Sequence, residues 1–170
     1  MTYLTFDAVP ERLDTTVKLP SSKSLSNRAL ILQALSQQRF TIQQLSSADD
    51  TAMLQTLLEQ DPLELDCGNA GTTFRFLTAY AALQPGIRIL TGDDRMKQRP
   101  ISPLVEALRE LGANITYKET EGYPPLEIRG GQVKGGQVSL DASVSSQFVT
   151  AILLIAPFTG TGIHFVFSGI

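Results

Sequence analysis

Hydrophobic and polar positions along this chain switch repeatedly between a period of two and a period near that of a helix. Alternation at residues 15–19 predicts a half-buried strand, whereas apolar residues three or four positions apart at 25–35 predict one face of a helix. The same criteria predict further helices at 49–58, 103–111 and 145–157. They predict further strands at 40–45, 86–90, 115–118, 126–129, 137–140 and 163–167. Strands and helices in this alternation indicate an α/β protein.

A weak internal repeat orders these elements. Three segments each join a strand to an apolar helix through a turn of small residues: TVKLPSSKSLSNRALILQAL, LELDCGNAGTTFRFLTAYAA and VSLDASVSSQFVTAILLIAP. In this alignment one position is shared by Arg28, Arg75 and Gln147. The position two residues earlier is shared by Ser26, Thr73 and Ser145. A second helix follows each of the first two copies, so the repeat predicts βαβαββ units.

Three helices that begin at equivalent turns would direct their N-termini toward one place. Each N-terminus offers free backbone N–H groups and about half a positive charge, which together favour an anion. The chain carries a net charge of −3, so it is not expected to bind nucleic acid or anionic membranes non-specifically. The predicted anion site must therefore be local.

The first two repeats begin with polar motifs that fit such a site. In SSKSLSNR, Lys23, Ser24 and Arg28 supply two cations and a hydroxyl beside a helix start. The alternative is a capped helix with two solvated charges. In DCGNAGTTFR, Gly71 lets a ligand approach the backbone, and Asn69, Thr72, Thr73 and Arg75 surround it. Thr72 and Thr73 are also candidates for capping the helix, and a tight turn without a ligand is the alternative.

Two later motifs complete the set. GDDRMKQRP places Arg95 and Arg99 in a charged loop that two prolines stiffen, although such loops are often only solvated. SVSSQF presents Ser145, Ser146 and Gln147 at the third helix start, where plain N-capping is the alternative.

Several classes of protein are excluded or disfavoured. The single cysteine, Cys67, permits no internal disulfide and fits a reducing cytoplasm. The N-terminus resembles neither a signal peptide nor a transit peptide, and the apolar run at 151–158 is too short to cross a bilayer. His164 is the only histidine, and no Cys/His cluster has metal-ligand spacing. No metal or cofactor is therefore expected.

Together, in this order, the four motifs resemble the EPSP synthase family. The family forms LPGSKSxSNR, GNAGTxxR, GDxRMxxRP and SxSSQF are met here by LPSSKSLSNR, GNAGTTFR, GDDRMKQRP and SVSSQF. The resemblance implies transfer of the enolpyruvyl group of phosphoenolpyruvate to the 5-hydroxyl of shikimate 3-phosphate, with release of phosphate. It also implies the shikimate pathway to aromatic amino acids and inhibition by glyphosate, which occupies the phosphoenolpyruvate pocket.

The resemblance also implies roles for individual residues. Lys23 is expected to be catalytic and to contact both substrates. Shikimate 3-phosphate is expected to bind Lys23, Ser24, Arg28, Ser145, Ser146 and Gln147. Phosphoenolpyruvate is expected to bind Lys23, Gly71, Arg99 and Gln147. The residues expected to support the site are Asn69, Thr72, Arg75 and Arg95.

The chain departs from the family pattern in ways that affect its organisation. The stretch between Leu58 and Leu63 is shorter than usual, so a strand–strand pair of the first unit is expected to be missing or abbreviated. Residues 14–170 are expected to form most of one domain of a two-domain enzyme, and residues 1–13 to pair with the second domain. That domain, as C-terminal partner, would supply the acid/base carboxylates. The alternatives are a non-catalytic phosphometabolite-binding module and a UDP-N-acetylglucosamine enolpyruvyl transferase.

Overall fold

The computed structural model describes residues 14–36, 40–141 and 145–168. Its α-helices are α1 (Lys23–Leu35), α2 (Asp49–Gln60), α3 (Gly71–Leu83), α4 (Ser102–Glu110) and α5 (Ser146–Ile155). Its strands are β1 (Glu64–Asp66), β2 (Gly86–Thr91), β3 (Asn114–Tyr117), β4 (Leu126–Gly130), β5 (Gly136–Asp141) and β6 (Ile163–Ser168). The predicted helices are all present. The one predicted at 145–157 ends as the 3₁₀ turn Ala156–Phe158, where Pro157 cannot donate to an α-helical bond.

Helix α3 forms the centre of the core. Phe74, Phe76 and Leu77 on this helix are at most 2% exposed, and its buried residues cover every side of the helix. A helix that is apolar around its whole circumference must be covered on all sides. Here α1, α2 and α5 pack against it together with β2 and β4. The start of α3 is therefore held in place by most of the other elements.

One complete βαβαββ unit runs from β1 to β4, which confirms the predicted α/β fold. Its four strands lie in the order β1-β2-β4-β3, with β1 parallel to β2 and β4 antiparallel to both of its neighbours. The register pairs Leu65 with Leu90 and Ile115 with Ile128, so apolar side chains share the buried face. Strands β5 and β6 form a separate parallel pair joined through α5.

Two strand predictions are wrong. Residues 15–19 and 40–45 form no strand, and Val17 and Leu19 are 71% and 84% exposed. Alternation provides an apolar face, but a strand also needs a neighbour for its backbone hydrogen bonds, and neither segment pairs with a described strand. Among the described residues, the first unit therefore consists of α1 and α2 alone. Residues 1–13, which were predicted to pair with a second domain, lie outside the described residues.

Helix α2 passes directly into β1 through a short turn. Asp61 ends the helix in the left-handed conformation, with φ 41° and ψ 53°. Its two carboxylate oxygens each accept a hydrogen bond of 2.7 Å from the Arg88 guanidinium, which is almost fully buried. The hydrogen bonds from Arg88 hold the pKa of Asp61 below its ordinary value. The turn is thus tied to β2, and, as expected from the short sequence here, no strand–strand pair lies between α2 and β1.

None of the described helices is both long and apolar enough to cross a membrane.

Candidate functional site

An open cavity of about 450 Å³ lies where helix N-termini converge. Lys23 is the first residue of α1, Gly71 is the first of α3, and Ser145 is the N-cap of α5. The residues that line the cavity are Lys23, Asp50, Asn69, Gly71, Thr72, Arg75, Arg99, Ser145 and Gln147. The predicted convergence of three helix starts is therefore present in the structure.

The finer alignment of the repeats is wrong. Arg28 is the sixth residue of α1, Arg75 the fifth of α3, and Gln147 only the second of α5. These side chains therefore leave their helices at different heights and in different directions. Arg75 and Gln147 line the cavity, whereas Arg28 is exposed and does not.

Capping follows a different pattern at each helix start. Ser22 Oγ accepts from the Leu25 amide at 3.3 Å, and Ser145 Oγ accepts from the Gln147 amide at 3.2 Å. The predicted caps from Thr72 and Thr73 are wrong, because α3 begins after Ala70 and has no side-chain cap. The first amides of α3 are consequently available to a bound anion.

The Lys23 ammonium is held by a carboxylate that sequence reasoning missed. Lys23 Nζ lies 2.8 Å from Asp50 Oδ2, and Asp50 is the second residue of α2. Asp49 and Asp50 also place negative charge at the N-terminus of α2, where the helix dipole favours it. No sequence motif marks Asp50, whose contact with Lys23 joins residues 27 positions apart in the chain.

Two arginines meet beside Gly71. Arg75 Nη1 donates to the Gly71 carbonyl at 2.8 Å, and Arg99 Nη1 donates to the Asn69 carbonyl at 3.4 Å. The Arg75 guanidinium also lies over the Phe148 ring, 5.3 Å from its centroid. Burial lowers the pKa of Arg75, and the nearby charge of Arg99 lowers it further. Positive charge is thus concentrated at one wall of the cavity.

The charged loop that carries Arg99 packs tightly on the loop before α3. The Asp93 amide donates to the Gly68 carbonyl at 3.1 Å, and the Asp93 carboxylate accepts from the Met96 amide at 2.8 Å. Met96 is 1% exposed and anchors the turn in the core. The sequence-based interpretation of this loop as a fixed conformation is confirmed. The backbone contacts deliver Arg99 to the cavity and leave Arg95 exposed, outside it.

Three further predicted ligand residues lie outside the cavity wall. Ser24, Arg28 and Ser146 are exposed, and none of them lines the cavity. Ser24 and Ser146 each sit next to a residue that does, at the second position of α1 and the first of α5. A ligand would have to extend beyond the cavity to reach them. The first two residues of the SVSSQF motif, Ser143 among them, lie outside the described residues.

The arrangement suits one or two small anions. Lys23, Arg75 and Arg99 supply positive charge, while Asn69, Thr72, Ser145 and Gln147 supply neutral donors and acceptors. Within the parts of the chain that the structure describes, His, Cys, Asp and Glu side chains form no group of three that could hold a metal ion.

A family of known proteins matches this chain in two segments that overlap at the end of α2. The sequence profile described as EPSP synthase (3-phosphoshikimate 1-carboxyvinyltransferase) matches residues 8–60 and 53–170, and the two segments overlap at the end of α2. A 3-phosphoshikimate 1-carboxyvinyltransferase of Sulfurovum sp. (strain NBC37-1) is 45% identical over 171 residues, yet the match covers 85% of this chain and 40% of that protein. The match runs over 171 positions but includes only 85% of the 170 residues of this chain. The relative therefore has residues in this region that this chain lacks.

One further relative aligns in sequence with fewer gaps, and a solved structure superposes on the chain. A 3-phosphoshikimate 1-carboxyvinyltransferase of Bacteroides fragilis (strain YCH46) is 45% identical over 162 residues, which cover 95% of this chain and 40% of that protein. A solved EPSP synthase from Acinetobacter baumannii superposes with a TM-score of 0.75 at 25% identity, covering 84% of this chain and 38% of that one. The chain spans about 40% of the length of the curated relatives that it matches. Because the family profile matches nearly every residue, the chain belongs to the EPSP synthase family.

Proposed function

We propose that this chain forms the substrate-binding half of a 3-phosphoshikimate 1-carboxyvinyltransferase. In that reaction the 5-hydroxyl oxygen of shikimate 3-phosphate adds to the enol carbon of phosphoenolpyruvate, and the methylene carbon takes up a proton. The tetrahedral adduct then loses phosphate and a methyl proton, which leaves 5-enolpyruvylshikimate 3-phosphate. The observation that carries the proposal is the convergence of Lys23, Arg99 and three helix N-termini on one cavity.

The cavity supports a distinct place for phosphoenolpyruvate. Arg99 and the open N-terminus of α3 at Gly71 would bind its carboxylate and phosphate, with Gln147, which also lines the cavity, as a further donor. Lys23 would act as the catalytic residue, because its ammonium can stabilise negative charge that develops as phosphate leaves. Arg75, Asn69 and Thr72 would support this wall, and Arg95 would add to the positive field from outside it.

Shikimate 3-phosphate would lie across the mouth of the cavity. Lys23, Ser145 and Gln147 line the cavity, and the exposed Ser24, Arg28 and Ser146 lie just outside it. Shikimate 3-phosphate would therefore have to extend beyond the cavity to contact the second group. The serine hydroxyls and the α5 N-terminus would bind its phosphate.

A second domain of the same protein would complete the site. Residues 14–170 would form most of one domain, residues 1–13 would pair with the other, and that domain would supply the acid/base carboxylates. General acid–base assistance is typically worth about 10²- to 10⁴-fold in rate, so this chain alone should show no detectable turnover. The buried free thiol of Cys67 is compatible with the reducing cytoplasm, where we place the reaction.

The decisive experiment measures phosphate release by the full-length protein encoded by the gene. Phosphoenolpyruvate with shikimate 3-phosphate should give rapid release, and phosphoenolpyruvate with UDP-N-acetylglucosamine should give none. Arg99→Gln should raise the KM for phosphoenolpyruvate by about tenfold or more, since a hydrogen bond to a charged group is worth roughly 1.5–3 kcal/mol. The matched control is Lys97→Gln in the same loop, because Lys97 contacts Glu119 and does not line the cavity. Normal kinetics in Arg99→Gln would refute the assignment.

Binding can be followed separately on the 170-residue chain. Titration with shikimate 3-phosphate should shift the amide resonances of Ser24, Arg28, Ser145 and Ser146. The affinity should be weak and should fall as salt is added, because open sites leave their charges screened. Shifts confined to other surfaces would contradict the proposed position of this substrate.

A further inference from the structure

Buried polar side chains are concentrated where α1, α2 and α3 meet. The buried polar or charged side chains among the described residues are Ser26, Asn27, Thr51, Thr73, Thr78 and Arg88. The first four of these lie at this one junction, directly behind the Lys23–Asp50 pair. Burying a polar group is unfavourable unless it is paired, so apolar residues would pack such a junction more simply.

Hydrogen bonds from two neighbouring helices hold the start of α2. Thr51 Oγ1 donates to Asn27 Oδ1 of α1 at 2.8 Å, and Thr73 Oγ1 of α3 donates to the Asp50 carbonyl at 3.1 Å. The N-cap residue of α2, Ala48, makes no side-chain capping bond. The position of the α2 N-terminus is therefore set by its neighbours and not by a cap of its own.

Asp50 lies at the centre of these bonds. Its carbonyl is held by Thr73, the next residue is held by Asn27, and its carboxylate holds Lys23. Asn27 follows Lys23 by one helical turn, so α1 contacts the start of α2 at two successive turns. Apolar contacts permit small shifts between helices, whereas directional hydrogen bonds fix one register.

We propose that Asn27, Thr51 and Thr73 are positioning residues that act on Lys23 through Asp50. Lys23 is half-exposed and would otherwise sample many rotamers, each of which moves its ammonium away from the substrates. The buried Nδ2 of Asn27 has no hydrogen-bond partner among the described residues. The junction thus forgoes some stability and gains a defined geometry at the lysine. The inference rests on the proposed function, because it concerns the catalytic role of the same lysine.

The experiment uses full-length protein and compares substitutions that differ only in the hydroxyl. Thr51→Val and Thr73→Val each remove one interhelical bond at constant shape. Each should lower kcat by about tenfold, the factor that corresponds to about 1.4 kcal/mol, with a smaller change in either KM. Thr51→Ser, which keeps the hydroxyl, should restore most of the rate. Thr78→Val is the matched control, since Thr78 is equally buried on α3 but donates within its own helix to the Phe74 carbonyl.

A double-mutant cycle separates positioning from general destabilisation. In an Asp50→Asn background the Lys23 contact is already weakened, so adding Thr51→Val should cost little more than Asp50→Asn alone. The same tenfold loss in both backgrounds, or a similar loss in Thr78→Val, would overturn the inference. If Thr51→Val does not fold, Thr73→Val provides the same cycle. Activity of the wild type and of Thr51→Ser tests the reaction itself, so failure of the proposed function would be recognised separately.

Discussion

A methyl group on Gly71 would lie 2.8 Å from Nη1 of Arg99 and 2.7 Å from Nη1 of Arg75. The wall of the cavity is therefore so close that the first residue of α3 has no room for a side chain unless the two guanidinium groups move. The shape of the proposed phosphoenolpyruvate pocket therefore depends on Gly71 carrying a hydrogen atom in place of a side chain.

Gly71→Ala in the full-length protein should accordingly raise the KM for phosphoenolpyruvate. Crowding of this kind costs about 1–3 kcal/mol, which corresponds to roughly 5- to 150-fold, and movement of the flexible arginines favours the lower end. Inhibition by glyphosate should weaken more, because the longer ligand has less freedom to avoid the methyl group. The measurements are both Michaelis constants and the inhibition constant. A large loss confined to shikimate 3-phosphate would place Gly71 in the other pocket.

Gly92→Ala should lower the free energy of unfolding. A Cβ at this position would meet the Gly68 carbonyl at 2.5 Å and Met96 Cβ at 2.8 Å, and neither group is the free end of a side chain. The expected loss is about 2 kcal/mol in the free energy of unfolding, measured by urea denaturation. Gly160→Ala is the control, because its nearest neighbour would be 3.8 Å away. Equal stability of the two variants would show that the two loops can separate without cost.

Asp61→Asn should destabilise the protein near neutral pH. The substitution removes the carboxylate that pairs with the nearly buried Arg88, and about 1 kcal/mol is expected after allowance for solvent screening of the half-exposed Asp61. The pKa of Asp61 is lowered in the folded state, so this contribution is present above its ordinary value of 3.8. It is lost as the pH falls through the lower, folded pKa.

Urea unfolding of wild type and Asp61→Asn at pH 6 and near pH 3 tests this relationship. The difference between the two proteins should shrink at the lower pH. Glu59→Gln is a suitable control at the same end of α2, because Glu59 is exposed and its carboxylate accepts a hydrogen bond from Gln55, one turn earlier. A difference that does not depend on pH would mean that the shape of the turn, and not the charge, stabilises it.

Cys67 should be inert in the folded protein. The thiol is completely buried, and burial raises its pKa to about 12, with a smaller contribution from the Asp66 charge. The thiolate is the reactive species, so labelling by a disulfide reagent at pH 8 should be slow in buffer and fast in denaturant. Rapid labelling without denaturant would indicate that the strand β1 opens readily.

Prediction from the sequence succeeded for elements that are buried in the core. It failed for segments that have a strand-like pattern but no neighbouring strand among the described residues. Helix α3 and strands β2 and β4 were predicted correctly, because the apolar positions of their patterns are the ones that the core buries. Val17 and Leu19 show the same alternation but pair with no described strand, and alternation alone carries no information on pairing. The error at Arg28 arose in the same way, since aligned letters do not specify how far along a helix each residue lies.

The site was predicted in part for a related reason. Short motifs identify residues whose neighbours in sequence are also neighbours in the cavity, such as Gly71 and Arg75. Asp50 belongs to no motif and reaches Lys23 only because buried bonds between three helices place it there. Interactions between distant segments of this kind depend on the tertiary structure and were not accessible from spacing.

The short turn at Asp61 makes the junction of α2 and β1 a natural place to add polypeptide. Leu63 is exposed, β1 is an edge strand, and none of the residues from Asp61 to Leu63 lines the cavity. Residues inserted between Asp61 and Leu63 would extend from the outer edge of the sheet, away from the residues that line the cavity. A reporter peptide or a second hairpin could therefore be grafted here, and the family itself contains relatives that are longer than this chain over the matched region.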